Sequence, residues 1–349
     1  MDYEKRRQNE IDNYRNVTNV HDLPEIYHYW SGRYLKPKFE AVGYADLNDF
    51  YLQQIAAAGD REASERIAIL SVGSGNCDAE VDLAQRLLAD GVREFTLACL
   101  DLNPAMLERG RQLAAEAGLA EKFEFICADI NAWEPDCEFD VLFANQCLHH
   151  FVELESLFDS FHRSLKETGV LLTNDMIGRN GHMRWPEALP YIEALWATLD
   201  RRYQYNHQKQ QYDEEFVNWD CSGSSFEGIR AQDILPLLCE RFHFETFIGF
   251  TNLMTPFIDR AYGHNFDPEN PLDCQFIDIV ARMDEYCIDK GILKPTQMVA
   301  ALTKSQLAPE RYYRHWSSKY WWLISAAGGA CTPMTAPGTG LPTRMVSMT

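Results

Sequence analysis

Between residues 66 and 175, short apolar runs alternate with stretches whose apolar positions recur at helical spacing. Ile67–Val72, Phe95–Leu100, Phe123–Cys127, Phe139–Ala144 and Val170–Thr173 each read as a buried strand. Val81, Ala84, Leu87 and Leu88 mark a helix after the first run, and Asn103–Ala117 marks another that ends at Gly118. Leu154, Leu157, Phe158, Phe161 and Leu165 draw one apolar stripe, with Gly169 as the expected stop. Continuous apolar strands separated by amphipathic helices predict an α/β fold with a parallel sheet covered on both faces.

Outside this stretch the rhythm changes. Residues 1–60 are polar and helical in pattern, with an aromatic cluster at Tyr27, Tyr29, Trp30 and Tyr34. The segment from His21 to Tyr34 reads either as a cover over a ligand or as an amphipathic helix packed on the sheet. Residues 176–240 read as mostly helical, and 251–295, punctuated by Pro256, Pro268, Pro271 and Pro295, as loops with short helices. Phe242–Phe250 and Met298–Thr303 add two late strands, so that 176–240 and 251–295 become substrate-side insertions. The chain thus divides into a helical extension or lid (1–60), a main domain (61–304) and a tail (305–349). The tail is first aromatic, with Tyr312, Tyr313, Trp316, Tyr320, Trp321 and Trp322, and then flexible from Gly328 to Thr343.

Composition narrows the chemistry. With 52 acidic against 32 basic residues the net charge is −20, which repels phosphate backbones and argues against a nucleic-acid partner. No apolar run reaches the roughly 18–20 residues of a membrane span. The ten cysteines form no CxxC pair, and Met1–Glu10 is charged rather than a basic-then-apolar leader, so reduced thiols and a cytoplasmic setting are expected.

Ile69-Leu70-Ser71-Val72-Gly73-Ser74-Gly75-Asn76-Cys77-Asp78 runs from a strand through a glycine turn into a helix. Gly73 and Gly75 permit left-handed backbone and close ligand approach. The third glycine of a dinucleotide turn is replaced by Asp78, and Glu80 and Asp82 add two acids. Three carboxylates at a helix N-terminus oppose a diphosphate; they suit a phosphate-free sulfonium nucleoside instead. Asp101, ending the second strand, is placed for both ribose hydroxyls, and Asp129 reads either as the acceptor of an adenine amino group, with Ile130 against the ring, or as a turn acid at the strand end.

With the VGSG turn, Asp101, the Ala128-Asp129 pair, Asp140 and the Asn145-Gln146-Cys147-Leu148-His149-His150 stretch in place, the chain resembles the class I S-adenosylmethionine-dependent methyltransferases of the small-molecule, LHH-loop type over about residues 65–175 and the two late strands. The resemblance implies a Rossmann-like, doubly wound, mostly parallel seven-stranded sheet whose last strand is antiparallel. It also implies S-adenosylmethionine as cofactor and S-adenosylhomocysteine as product. Gly73, Gly75, Asp101, Met106, Asp129, Ile130 and Asn145 would line the cofactor, with Ser71, Ser74, Leu102 and Gln146 from the same loops. Two positions depart from the pattern: Ser71 stands where an acid is usual, and Cys77 where the motif has its third glycine.

Methyl transfer is an in-line displacement, for which the protein aligns the acceptor and takes its proton. Candidate bases are His149, His150 and His182, with Asp175 a rival. Asp175, Arg179, Asn180, Arg184 and Trp185 after the fifth strand, together with Arg230, Tyr29 and Trp30, are candidate acceptor contacts. A carboxylate or a sugar hydroxyl on Arg184 or Arg230 competes with the ordinary salt bridge. No metal is expected, since Asn174 and Asp175 beside Asn145 are undercharged for one. The function expected is methylation of a small-molecule acceptor, at the oxygen of a sugar or natural product, with a homodimer left open. A non-catalytic S-adenosylmethionine-binding scaffold and an NAD-dependent oxidoreductase are the alternatives.

Overall fold

The computed structural model describes residues 2–17, 23–62, 65–135 and 137–321. The expectations for His21, Trp322 and the stretch Gly328–Thr343 lie outside the described residues.

Five strands follow the predicted runs: β1 (Ile67–Val72), β2 (Phe95–Asp101), β3 (Phe123–Cys127), β4 (Phe139–Asn145) and β5 (Leu165–Met176). Two later strands, β6 (His243–Phe250) and β7 (Gln297–Thr303), and a two-residue strand, β8 (Arg311–Tyr312), complete one sheet in the order β8-β6-β7-β5-β4-β1-β2-β3. β1 to β5 are mutually parallel, whereas β7 runs antiparallel between β5 and β6. An eighth strand is thus added to the seven expected, paired parallel to β6 at the edge. A separate hairpin pairs Tyr205–Asn206 with Gln211–Tyr212.

Eleven α-helices accompany the sheet among the described residues: α1 (Tyr3–Tyr14), α2 (Glu25–Trp30), α3 (Lys36–Ala41), α4 (Leu47–Glu62), α5 (Asp78–Ala89), α6 (Pro104–Glu116), α7 (Leu154–Ser164), α8 (Leu189–Trp196), α9 (Ala231–Arg241), α10 (Thr255–Ile258) and α11 (Pro271–Asp289). The crossover helices α5 to α7 start and stop near where the sequence places them. Asn103 caps α6 by accepting from the Ala105 amide, with Pro104 in the first turn. Gly169 does not end α7. It lies inside β5, where a side chain would stand 2.9 Å from the Asp140 carbonyl, so its smallness serves the close approach of β4 and β5 rather than a helix end.

Two expectations for the insertions are corrected. Residues 176–240 are largely loops and short turns, with α-helix confined to α8 and α9; their aromatic residues pair with rings from separate elements, as Trp196 does with Phe216 and Tyr262, rather than along one helical stripe. Residues 251–295 contain the 19-residue α11, with Asn270 accepting from the Leu272 amide and Pro271 at its first position. Proline there opens a helix instead of breaking one.

One continuous apolar core runs from Ile26, Trp30 and Phe39 through the sheet to Trp316 and Trp321, so residues of both flanking segments are buried with the central strands. α1 is the exception: none of its residues is buried.

Candidate active site

At the carboxyl edge of β1, Gly73 and Gly75 take φ of 62° and 55°, and the turn between them is pinned from the next strand. The Gly75 amide donates to Asp101 Oδ2 at 2.8 Å and the Asn103 amide to Oδ1 at 2.7 Å. Burial raises the Asp101 carboxyl above its ordinary range, against the lowering effect of those amides. Met106, from α6, lies so close that a side chain at Gly75 would stand 3.1 Å from its methyl.

Both departures from the family pattern are compensated by residues distant in sequence. Ser71 Oγ donates to Glu80 Oε1 at 2.7 Å, and Glu80 is buried beneath the turn rather than exposed on α5. The acid absent from position 71 is thus delivered from the helix. Burial pushes its carboxyl up to about 7, and its hydrogen bond from Ser71 opposes that rise. Cys77 holds the left-handed conformation expected of the third glycine, with φ of 59°. Its side chain is accommodated because α6 presents Gly110, where a Cβ would come within 2.6 Å of Cys77 Sγ. Neither Glu80's inward role nor Gly110's was legible in the sequence beyond the anomalies at 71 and 77.

Asp129 accepts the Tyr3 hydroxyl at 2.9 and 2.8 Å and the Asn131 amide at 3.0 Å. Ile130 is buried beside it. Asn145 Oδ1, at the end of β4, accepts from the Tyr51 hydroxyl and from Asn174, each at 3.2 Å. Gln146 follows with φ of 55° and an exposed side chain. Ser74 and Leu102 lie in the intervening loops, Ser74 donating its amide to the Leu100 carbonyl at 3.2 Å. The predicted cofactor residues therefore sit together along one edge. The donor set matches a phosphate-free cationic nucleoside: carboxylates at Glu80 and Asp101 flank the turn, and Arg109 is occupied by Asn76 Oδ1 and the Arg15 carbonyl at 2.8 and 2.9 Å.

Beyond β4 and β5, three histidines surround one carboxylate. His182 Nε2 lies 2.6 Å from Glu227 Oε1, and His149 Nε2 and His150 Nε2 each lie 3.5 Å from its oxygens. The His149 and His150 rings are 4.3 Å apart, those of His149 and His182 5.1 Å. Glu227 is not among the candidate catalytic or binding residues read from the sequence. Burial raises its carboxyl, but the three histidines override this and hold it far below the usual carboxylate range, so it is ionised.

The histidines differ. His149 is buried, with Nδ1 2.6 Å from Asp175 Oδ1; burial alone would lower its pKa, but Asp175 and Glu227 lift it to about 10. It is an imidazolium at neutral pH and cannot accept an acceptor's proton. Asp175 is fully buried and accepts from the Cys147, Leu148 and Met176 amides as well, so it braces the loop and is no free base. His182 is pushed down by burial and by the charge of His149, against the pull of Glu227, and is neutral. Because Glu227 can only accept, the pairing assigns the His182 hydrogen to Nε2 and leaves the lone pair on Nδ1. Gly228 packs against that edge of the ring, where a Cβ would stand 3.1 Å from Nδ1. His150 Nδ1 meets Glu10 Oε1 at 2.7 Å. His149, His182 and Glu227 bring ligand-type atoms within 4.8 Å of one another, a spacing a divalent ion accepts, but the same atoms already pair with each other.

The N-terminal helix α1 lies across both halves. Tyr3 reaches Asp129, the Ile11 carbonyl accepts from Asn103 at 3.2 Å, Glu10 meets His150, and the Tyr14 hydroxyl donates to Glu227 at 3.2 Å.

The remaining predicted contacts separate. Arg179 and Arg184 line a cavity with His182. Asn180 exchanges hydrogen bonds with Gln232 at 3.3 and 3.1 Å. Trp185 stacks under Lys294, 4.2 Å from the ring centre. Arg230 does not face the cavity: it pairs with Glu155 at 2.6 Å and Asp233 at 2.9 Å. Tyr29 donates to Asp278 at 3.0 Å, and Trp30 is buried near Phe250, so the aromatic pair packs on α11 and β6 and not on the histidines. Of the two readings of that segment, the packed helix is what forms.

Residues 69–169 match a family described as Methyltransferase domain. A malonyl-[acyl-carrier protein] O-methyltransferase of Acetivibrio thermocellus is 28% identical over 183 residues, 52% of this chain and 54% of that protein. The chain thus spans about half the length of the curated relative it matches. Among solved structures, the O-methyltransferase from the trans-AT PKS multienzyme of Brevibacillus brevis, in complex with S-adenosyl-L-homocysteine, is 13% identical, with a TM-score of 0.42 over 82% of this chain and 86% of that one. The geranyl diphosphate C-methyltransferase of Streptomyces coelicolor is 11% identical, with a TM-score of 0.43 over 86% and 98%. Residues 69–169 thus form a methyltransferase domain, and the chain is similar to S-adenosylmethionine-dependent methyltransferases.

Proposed function

We propose that this protein methylates an oxygen of a small-molecule acceptor, using S-adenosylmethionine and a histidine–glutamate pair. The reading is carried by the juxtaposition of Asp101, bound to the Gly75 turn, with a neutral His182 held on ionised Glu227 at the same carboxyl edge. The relative's name, an O-methyltransferase, supports oxygen as the acceptor atom.

The Gly73–Gly75 turn, Asp101, Met106, Asp129, Ile130, Asn145 and Gln146 would hold the cofactor, with Asp101 using its remaining lone pairs for ribose hydroxyls and Glu80 beneath the turn facing positive charge. Once bound, S-adenosylmethionine supplies a methyl group on a positively charged sulfur. Glu227 orients His182, and His182 Nδ1 takes the proton of the acceptor hydroxyl as oxygen attacks. His149, fixed between Asp175 and Glu227, is a positioning residue that also places positive charge beside the carboxylate. α1 covers the site and excludes water.

The test is a matched pair of measurements on His182→Gln. Turnover to S-adenosylhomocysteine should fall at least about a hundredfold while calorimetric affinity for S-adenosylmethionine is retained. Retained turnover would remove His182 from the mechanism. A wild-type protein that binds S-adenosylmethionine but methylates no acceptor would be a cofactor-binding scaffold instead.

A further inference from the structure

Beside His182 is a cavity of about 20 Å³, lined by Met176, Arg179, Arg184, Thr255 and Thr296 among others. That is room for one or two water-sized groups, the size of a carboxylate head and not of a whole acceptor. Two of its polar groups are unmatched. Arg184 Nη1 is buried without a hydrogen-bond partner, and so is Thr255 Oγ1.

The guanidinium is otherwise held in place. Its Nη2 donates to the His182 carbonyl at 2.5 Å, its own amide donates to Asn218 Oδ1 at 2.6 Å, and its carbonyl accepts from Arg179 Nη1 at 3.3 Å. No carboxylate forms an ion pair with Arg184 among the described residues. Arg230 has two such partners and Arg61 has Glu245 at 2.8 Å. The acids that act on Arg184 from further away are Asp259 and Asp284. Asp259 accepts from the Ala261 amide, and Asp284 from the Asn252 and Leu253 amides, and neither is in ion-pair contact with the guanidinium. A buried guanidinium without a counter-ion in contact is costly unless something repays it. A bound water would satisfy Nη1 but leave the charge uncompensated; a carboxylate meets both needs and matches the guanidinium fork.

We propose that this cavity is an anion subsite in which Arg184, with Arg179 and the Thr255 hydroxyl, holds a carboxylate of the acceptor. The acceptors are then small hydroxy acids, anchored by the carboxylate and presenting the hydroxyl to His182. This rests on the methyltransferase reading above and names its substrate class.

The test uses a pair of probes that differ in charge, 3-hydroxybutyrate and 3-hydroxybutyramide, titrated by ligand-observed NMR into the full chain with S-adenosylhomocysteine present. The acid should bind at least tenfold more tightly than the amide. Arg184→Gln should abolish that preference, and Arg184→Lys should retain part of it. Equal binding of acid and amide, no binding of the acid, or an unchanged preference in Arg184→Gln would overturn the subsite. Inorganic phosphate displacing the acid at lower concentration would overturn the assignment to a carboxylate. Should Arg184→Gln fail to fold by circular dichroism, Thr255→Val and Arg184→Lys decide: both must weaken the acid, and unchanged affinity in both refutes the proposal. Calorimetry with S-adenosylmethionine on the same preparations separates the two readings. Lost cofactor binding with an intact acid preference refutes the methyltransferase and keeps the subsite; intact cofactor binding without acid preference refutes the subsite alone.

Discussion

The cofactor half of the site, from Ser71 to Ile130, and the acceptor half, from His149 to Thr296, share one sheet edge but are assembled by different forces. In the first half, parallel strand pairing does the placing: β1 and β2 lie in register from Ile67 with Phe95 to Val72 with Leu100, which brings Asp101 under the Gly75 amide. In the second half, side chains from separate loops meet around buried charge. His182 and Glu227 are 45 residues apart, Glu10 and His150 140. Backbone-built sites tolerate sequence drift where a second residue compensates, as Glu80 does for Ser71 and Gly110 for Cys77. Charge-built sites depend on each member, since one missing partner leaves a buried ion unpaired.

Mutations should expose that contrast. The largest effect is expected at Glu227→Gln, which frees His182, His149 and His150 at once. Turnover should fall by about 10²–10⁴-fold in steady-state assays, with S-adenosylmethionine affinity little changed. Equal loss in both measurements would mean that the two halves are not separable.

Glu80 gives a stability effect with a definite sign. Its carboxyl titrates near 7 when folded against about 4.5 when unfolded, so between these values the folded chain holds a proton that the unfolded chain has released. Stability from this group is complete below about pH 4.5 and is lost as pH rises through 7. Glu80→Gln should remove that slope, worth on the order of 3 kcal/mol, and be the more stable protein at pH 8. Urea unfolding from pH 4 to 8 reads the difference, and parallel slopes in variant and wild type would contradict it.

A smaller loss is expected at Asp101→Ala. Removing a carboxylate that also binds ribose hydroxyls should weaken S-adenosylmethionine about 10–100-fold by calorimetry, while leaving 3-hydroxybutyrate bound as before. Arg230→Ala is expected to do least. Its bridges to Glu155 and Asp233 lie away from the cavity, so stability should change by under about 1 kcal/mol and turnover hardly at all. A large loss of turnover there would move the acceptor to the wrong side of α9.

Deleting residues 2–16 sharpens the comparison further. α1 buries none of its residues and touches both halves through hydrogen bonds and the ring contacts of Tyr3 with Phe226 and Tyr14 with His150. Its removal should speed cofactor exchange in stopped-flow measurements and leave the unfolding midpoint nearly unchanged.

The sequence by itself determined the strand and crossover pattern from Ile67 to Met176, the glycine turn and Asp101, because these depend on neighbours a few residues away and on side-chain period. It also placed His182 and Arg184 in one polar loop. It could not show which proline opens a helix, as Pro271 does, or that Glu80 turns inward. Nor could it rank the histidines: His149, His150 and His182 are equivalent as letters. Only the tertiary structure decided, by placing Asp175 against one, Glu227 among all three and, among the described residues, no acid in contact with Arg184, because charge and burial are properties of the surroundings and not of the residue.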